Sequence, residues 1–198
     1  MMILIIAGRV FPFFTERGLT GVIATRNPML DAVAVASSVL VFMLLIINVT
    51  GLLLTIVAIA AVIANIVRVA GWYERRIWYV PLLWVLYMGY AWIIMGFVFV
   101  VLSSQNLILA SVATHAFTVG GIGVLTLGMM ARVSLGHTGR AMKASNTIAI
   151  AFALINLAAL FRVFLPALLP DWYGSFLILS IYSWLAAFSL FVFISKGL

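Results

Sequence analysis

Six apolar runs, each long enough to cross the roughly 30 Å hydrocarbon core of a bilayer, occupy residues 29–48, 51–68, 77–102, 107–131, 146–165 and 174–195. Inside lipid no water satisfies backbone N–H and C=O groups, so each run must close its own hydrogen bonds as a helix. The expected fold class is therefore all-α: a polytopic transmembrane helix bundle of about six spanning helices, preceded by a short truncated amino-terminal helix. Composition agrees, with 67% hydrophobic and 8% charged residues, where a soluble domain carries about a quarter charged. Residues 1–28 read as a truncated helix end and cytoplasmic-side segment, and 29–198 as the six-span bundle. Met1–Gly8 is apolar but has no basic leader, which separates it from a signal peptide.

Charge supplies the topology. A formal net charge of +7 would suit a nucleic-acid binder, but here the basic residues sit in short gaps between apolar runs, where they act as topology signals. No nucleic-acid partner is expected; the partner is the lipid bilayer. Asn48-Val49-Thr50-Gly51 and Ser103-Ser104-Gln105-Asn106 form short, uncharged hairpins. Taking alternate sides, every Lys and Arg except Arg162 falls on one face. By the positive-inside rule that face is cytoplasmic, with both ends of the six-span unit inside. Trp72-Tyr73, Trp78-Tyr79 and Trp172-Tyr173 lie where interfacial anchors are expected. Trp84, Tyr87, Tyr90 and Trp92 fall deeper, where packing or the lining of a pocket is the expected use.

The chain offers little to a protein-only catalyst. Its four acids, Glu16, Asp31, Glu74 and Asp171, fall at loops or span ends, so no paired-carboxylate centre forms in the bilayer. With no cysteine there is no thiolate metal site, and no nucleophile elbow or phosphate-binding loop occurs. A stand-alone enzyme is not expected.

The fourth run concentrates the possible chemistry. It carries His115 within apolar sequence, and His137 follows in a basic, glycine-flanked stretch. At 100° per residue Ser111, His115, Thr118, Ile122, Thr126 and Met129 share one face, a polar stripe. Gly121 and Gly128 share another, and Ala116 with Gly120 makes a small-xxx-small pair suited to close helix approach. Gly120-Gly121-x-Gly123 follows no strand, so packing is its expected role rather than nucleotide binding. His115 lies roughly 12 Å from the start of the run, a depth at which an imidazole is a site hypothesis by default. An interhelical hydrogen bond and a metal ligand both satisfy that requirement. Arg162, alone on the outer face, reads as paired with Asp171 or snorkelling to headgroups.

The segments Thr114–Gly123 and Gly128 through Arg140, with Arg9-Val10-Phe11-Pro12-Phe13-Phe14-Thr15 upstream, resemble the NnrS family of bacterial haem- and copper-containing membrane proteins. The resemblance implies a role in the response to nitric oxide and related nitrogen oxides. It also implies correspondence to the carboxy-terminal half of a twelve-span protein, whose amino-terminal half carries further histidines. The missing half, or another subunit, is then an expected partner. Carried over by residue, His115 is the first candidate ligand to haem iron or copper and His137 the second, with Met129 and Met130 as thioether candidates for copper. Arg132 and Arg140 could pair with haem propionates through bidentate guanidinium forks. The alternative function is a transporter or channel whose path is lined by the polar stripe together with Asn65 and Asn156.

Overall fold

The computed structural model of the chain describes residues 2–139 and 141–196. Among them the secondary structure is helical: α1 (Met2–Gly18), α2 (Pro28–Ile46), α3 (Leu52–Ala70), α4 (Pro81–Ser104), α5 (Ala110–His115), α6 (Val124–His137), α7 (Asn146–Leu168) and α8 (Tyr173–Lys196). A π-helical segment, Ala116–Gly123, joins α5 to α6 without a break, so that Ala110–His137 is one element. Six of these elements are long and apolar enough to cross a membrane, and the expected six-span bundle stands. The largest departure is in the fourth span, where the helix runs past residue 131 to His137. It stops there because Gly139 adopts a left-handed conformation (φ 66°) that glycine takes without steric penalty.

The two uncharged hairpins share one chemical device. Asn48 (φ 55°) and Asn106 (φ 57°) end α2 and α4 in the left-handed region. At the first, the amide of Asn48 donates to the Leu45 carbonyl and that of Val49 to the Leu44 carbonyl; at the second, Asn106 donates to Ser103 and Leu107 to Leu102. These paired bonds satisfy carbonyls that a helix end in lipid would otherwise leave open. The start of α2 is fixed with equal economy. Asn27 accepts from the amides of Met29 (3.0 Å) and Leu30 (3.2 Å), and Pro28 occupies the first helical turn, where its missing N–H is harmless.

The helices form two compact units, residues 1–77 with 94–113 and residues 78–93 with 114–198. In the first, α2 and α3 pack as an antiparallel pair, and Asn65 donates across it to Ser38 Oγ (3.1 Å). Phe42 meets Phe97 from α4, and closer to the hairpin that joins α2 to α3 Thr55 shares hydrogen bonds with Ser104 and Gln105. α1 is fastened by an ion network. Arg68, buried near the end of α3, bonds Asp31 Oδ1 at 2.6 Å, donates to the Leu4 carbonyl at 2.8 Å and lies 4.9 Å from the Trp72 ring centroid. Trp72 is therefore not the interfacial anchor its position suggests. It is buried beneath the guanidinium and against Phe11, whereas Tyr73, Trp78, Tyr79, Trp172 and Tyr173 are exposed as anchors should be.

In the second unit α7 packs on α8, on α6 and on the π segment. Its core holds Tyr90, Phe152, Leu127 and Ile155, all fully buried. Trp92 donates from its indole nitrogen to Asn156 Oδ1 at 3.0 Å, while the Asn156 amide donates back to the Phe152 carbonyl at 2.8 Å. Ser180 on α8 donates to the Ala158 carbonyl of α7 at 2.8 Å. Of the deep aromatics, Tyr87, Tyr90 and Trp92 are packed core, while Trp84 lines an apolar groove of about 590 Å³ shared with Met88, Ala153, Asn156, Leu157 and Leu160.

Candidate functional site

His115 is the last residue of α5, and the backbone changes from α to π winding at the next residue. π segments are rare and concentrate at functional sites. The sequence carries no signal for this one: helical projection assumes constant winding, and eight residues of wider turn shift the phase of everything beyond them. The segment is seated through its glycines. A Cβ on Gly120 would lie 2.6 Å from ring carbons of Trp92, and one on Gly121 2.7 Å from Ile93. Gly128, on α6, meets Val85 with equal closeness at 2.9 Å. The glycines serve helix approach, as their setting predicts, and the Trp92–Asn156 bond holds the indole against which Gly120 rests.

The imidazole of His115 is half-buried, and no described residue is hydrogen-bonded to it. It is not sunk in a polar network of the protein. Arg162 on α7 lies within electrostatic reach of it. The hydroxyl-bearing residues of the same stripe, Ser111, Thr118 and Thr126, are exposed on the surface of the span, as is Thr114 beside them. Thr118 returns its hydroxyl to the Thr114 carbonyl at 2.8 Å, a local bond that lets a polar side chain face lipid without a partner.

The other candidate residues do not gather around His115. His137 is exposed at the far end of the same element, 22 positions on and roughly 30 Å away along the axis. Rather than lying in a loop it closes the last turn of α6, since the helix continues through Arg132. Met129 is half-buried and Met130 exposed on α6, about 20 Å from His115 by helical rise and two turns from His137, so both thioethers lie nearer to His137 than to His115. Arg132 is buried and donates from Nη2 to the Leu82 carbonyl in the first turn of α4. Arg140 lies outside the described residues. Among the described residues no group of three or more His, Cys, Asp or Glu side chains converges on a common point.

The two asparagines of the alternative permeation path are engaged in hydrogen bonds. Asn65 bonds Ser38 and the Ala61 carbonyl within the first unit, and Asn156 bonds Trp92 and the Phe152 carbonyl within the second. What the sequence does not disclose is the neighbourhood of Arg162. Its Nη1 donates to the Tyr173 hydroxyl at 3.0 Å and its guanidinium carbon lies 5.6 Å from the centre of that ring. The expected Asp171 pairing is not formed.

Comparison with known proteins adds one finding. The family model described as NnrS protein matches residues 1–196, and the expected correspondence to the carboxy-terminal half of a longer protein is not borne out. No curated protein and no solved structure matches the chain.

Proposed function

Because the chain belongs to the NnrS family, we propose that this multi-pass membrane protein binds haem or copper and acts in the response to nitric oxide and nitrogen oxides. The observation that carries the reading is the half-buried His115 at the start of the π segment, with no described residue hydrogen-bonded to its ring. A ligand imidazole needs a free lone pair and a fixed ring. The glycine-seated π segment and its Trp92 buttress supply the fixed backbone.

The residues fit one ligand position, not a complete set. Haem iron asks for a single axial imidazole, which His115 can provide; a copper ion asks for several donors, and among the described residues no group of three or more His, Cys, Asp or Glu side chains converges to supply them. Further donors would come from a second polypeptide or a second copy of the chain. Bound haem would supply an iron centre able to take a diatomic ligand. The protein's own part is to hold the imidazole and to keep water from the outer half of the span. The membrane is the bacterial cytoplasmic one in this reading, with the basic loops inside.

The test is an optical spectrum and metal analysis of the purified protein reconstituted with haem, beside His115→Leu. A Soret band that His115→Leu abolishes supports the assignment. A band unchanged by that substitution, or no haem and no copper under any loading, removes it. Transport is the weaker reading, since the asparagines it needs are engaged between helices.

A further inference from the structure

Three arginines lie within the apolar spans, and each is treated differently. Arg68 is neutralised by the Asp31 carboxylate, with the Leu4 carbonyl and the Trp72 ring beside it. Arg132 is buried onto the Leu82 carbonyl. Among the described residues the hydrogen-bond partner of Arg162 is a phenol: the arginine is half-buried on α7, six residues before the helix ends at Leu168, and its hydrogen bond goes to Tyr173 at the start of α8. Among the described residues no carboxylate comes within ion-pair distance of it. Asp171 is the acid nearest in sequence, and it does not pair.

A phenol accepts one N–H but brings no charge. A guanidinium carries five donors in a planar fork, so most of this one's hydrogen-bonding capacity is unspent. Because Tyr173 accepts the arginine's proton donor, its own O–H is left to donate away from Arg162. A fork and a hydroxyl thus stand at 3.0 Å from one another, both with donors to give and no acceptor of negative charge between them. The level is also right. Arg162 lies about 9 Å along the axis from the end of α7, within the reach of a snorkelling side chain. Trp172 and Tyr173 are exposed beside it, as residues at the headgroup level are.

We propose that Arg162 and Tyr173 together form a receptor for one phosphate group, carried by a lipid headgroup or free in solution, at the end of α7. The guanidinium takes two phosphate oxygens in its fork and the Tyr173 hydroxyl donates to a third. The site adjoins His115, which lies within electrostatic reach of Arg162, but it is distinct from the haem and copper reading, because neither residue is a ligand in it and the anion needs no metal. The position of Arg162 explains a further point of the sequence: it is the one cation that breaks the positive-inside pattern, and a bound phosphate cancels the charge responsible.

The experiment uses the full chain free of haem and copper in dodecyl maltoside, a detergent with no phosphate. One arm titrates inorganic phosphate by calorimetry; the other counts phosphatidylglycerol molecules retained in native mass spectrometry. Removing the fork with Arg162→Gln should weaken phosphate or lipid retention roughly tenfold to a hundredfold, and Tyr173→Phe roughly tenfold, the range for hydrogen bonds to a charged group. Arg162→Lys, which keeps the charge and loses the fork, should fall between wild type and Arg162→Gln and guards against a glutamine variant that fails to fold. Loss in the lipid arm alone identifies the headgroup as the source, and loss in the phosphate arm alone the free anion; either supports the site. Wild-type binding in both arms for Arg162→Lys and Tyr173→Phe overturns it, as does the absence of saturable binding by the wild-type chain. Since no metal is present, failure here leaves the His115 reading untouched, and failure of that reading leaves this one standing.

Discussion

Replacing Gly120 by alanine tests whether the π segment is held by backbone contact. The added Cβ would sit 2.6 Å from Trp92 Cδ2 and Cγ and 2.8 Å from its Cβ, where carbon atoms rest at about 3.5–4.0 Å. The shortfall is near 1 Å, and the indole cannot swing aside freely. Its Nε1–H is bound to Asn156 and its ring packs 5.6 Å from that of Phe164. Overpacking of this kind costs about 1–3 kcal/mol. If relief breaks the Trp92–Asn156 bond, a buried donor and acceptor are orphaned for about 1–3 kcal/mol more. Against this, alanine gains about 0.5–1 kcal/mol over glycine in a helix. The expected net loss, with the bond broken, is about 1–5 kcal/mol. Gly136→Ala is the control, on the same element but with nothing within 4 Å of the added methyl; it should be neutral or gain up to about 1 kcal/mol. Unfolding would be followed by tryptophan fluorescence and helicity as dodecyl sulfate is titrated into a mild detergent. If Gly120→Ala matches or exceeds wild-type stability, or if both substitutions shift it in the same direction, the packing argument is wrong.

Three more expectations follow from the same contacts. Asp31→Ala strands the buried Arg68 and should cost about 3–5 kcal/mol, while Asp31→Ala with Arg68→Leu should lose less than Asp31→Ala alone; strictly additive losses in the same titration would deny the ion pair its role. Asn156→Leu removes the acceptor of the Trp92 indole and should destabilise the second unit by about 1–3 kcal/mol, with a shift in tryptophan emission; an unmoved spectrum and stability would contradict the bond. Asn27→Ala takes the cap from α2 and should cost about 1 kcal/mol, seen as faster amide exchange at Met29 and Leu30 alone; exchange left at wild-type rates there would show that the cap is idle.

Much of the architecture was legible in the residue order because the bilayer simplifies the physics. Where water is absent, an apolar run of sufficient length has helix as its only way to satisfy its backbone, so six spans and their hairpins follow from hydropathy and punctuation. Asn48 and Asn106 end their helices because asparagine tolerates the left-handed conformation, a local property. The glycines of the fourth span announced close packing for the same reason: a missing side chain is a local fact. His115 stood out because an imidazole among apolar residues is costly wherever it points.

What lay beyond the sequence depended on partners distant along the chain. Arg68 and Asp31 are 37 positions apart and Trp92 and Asn156 are 64 apart, so neither pairing has a periodic signature, and Trp72 looked like an anchor until Arg68 was placed over it. The π winding after His115 arises among residues whose spacing reads as ordinary helix, and nothing in the structure identifies a single residue as its cause. Arg162 was visible as an isolated charge, but the choice of Tyr173 over Asp171 belongs to the packing of α7 on α8. Hydropathy and local stereochemistry determined the spans and their ends, because both act within a few residues. Which polar group meets which was decided only by the tertiary structure, because a hydrogen bond is set by distance in space and not by distance along the chain.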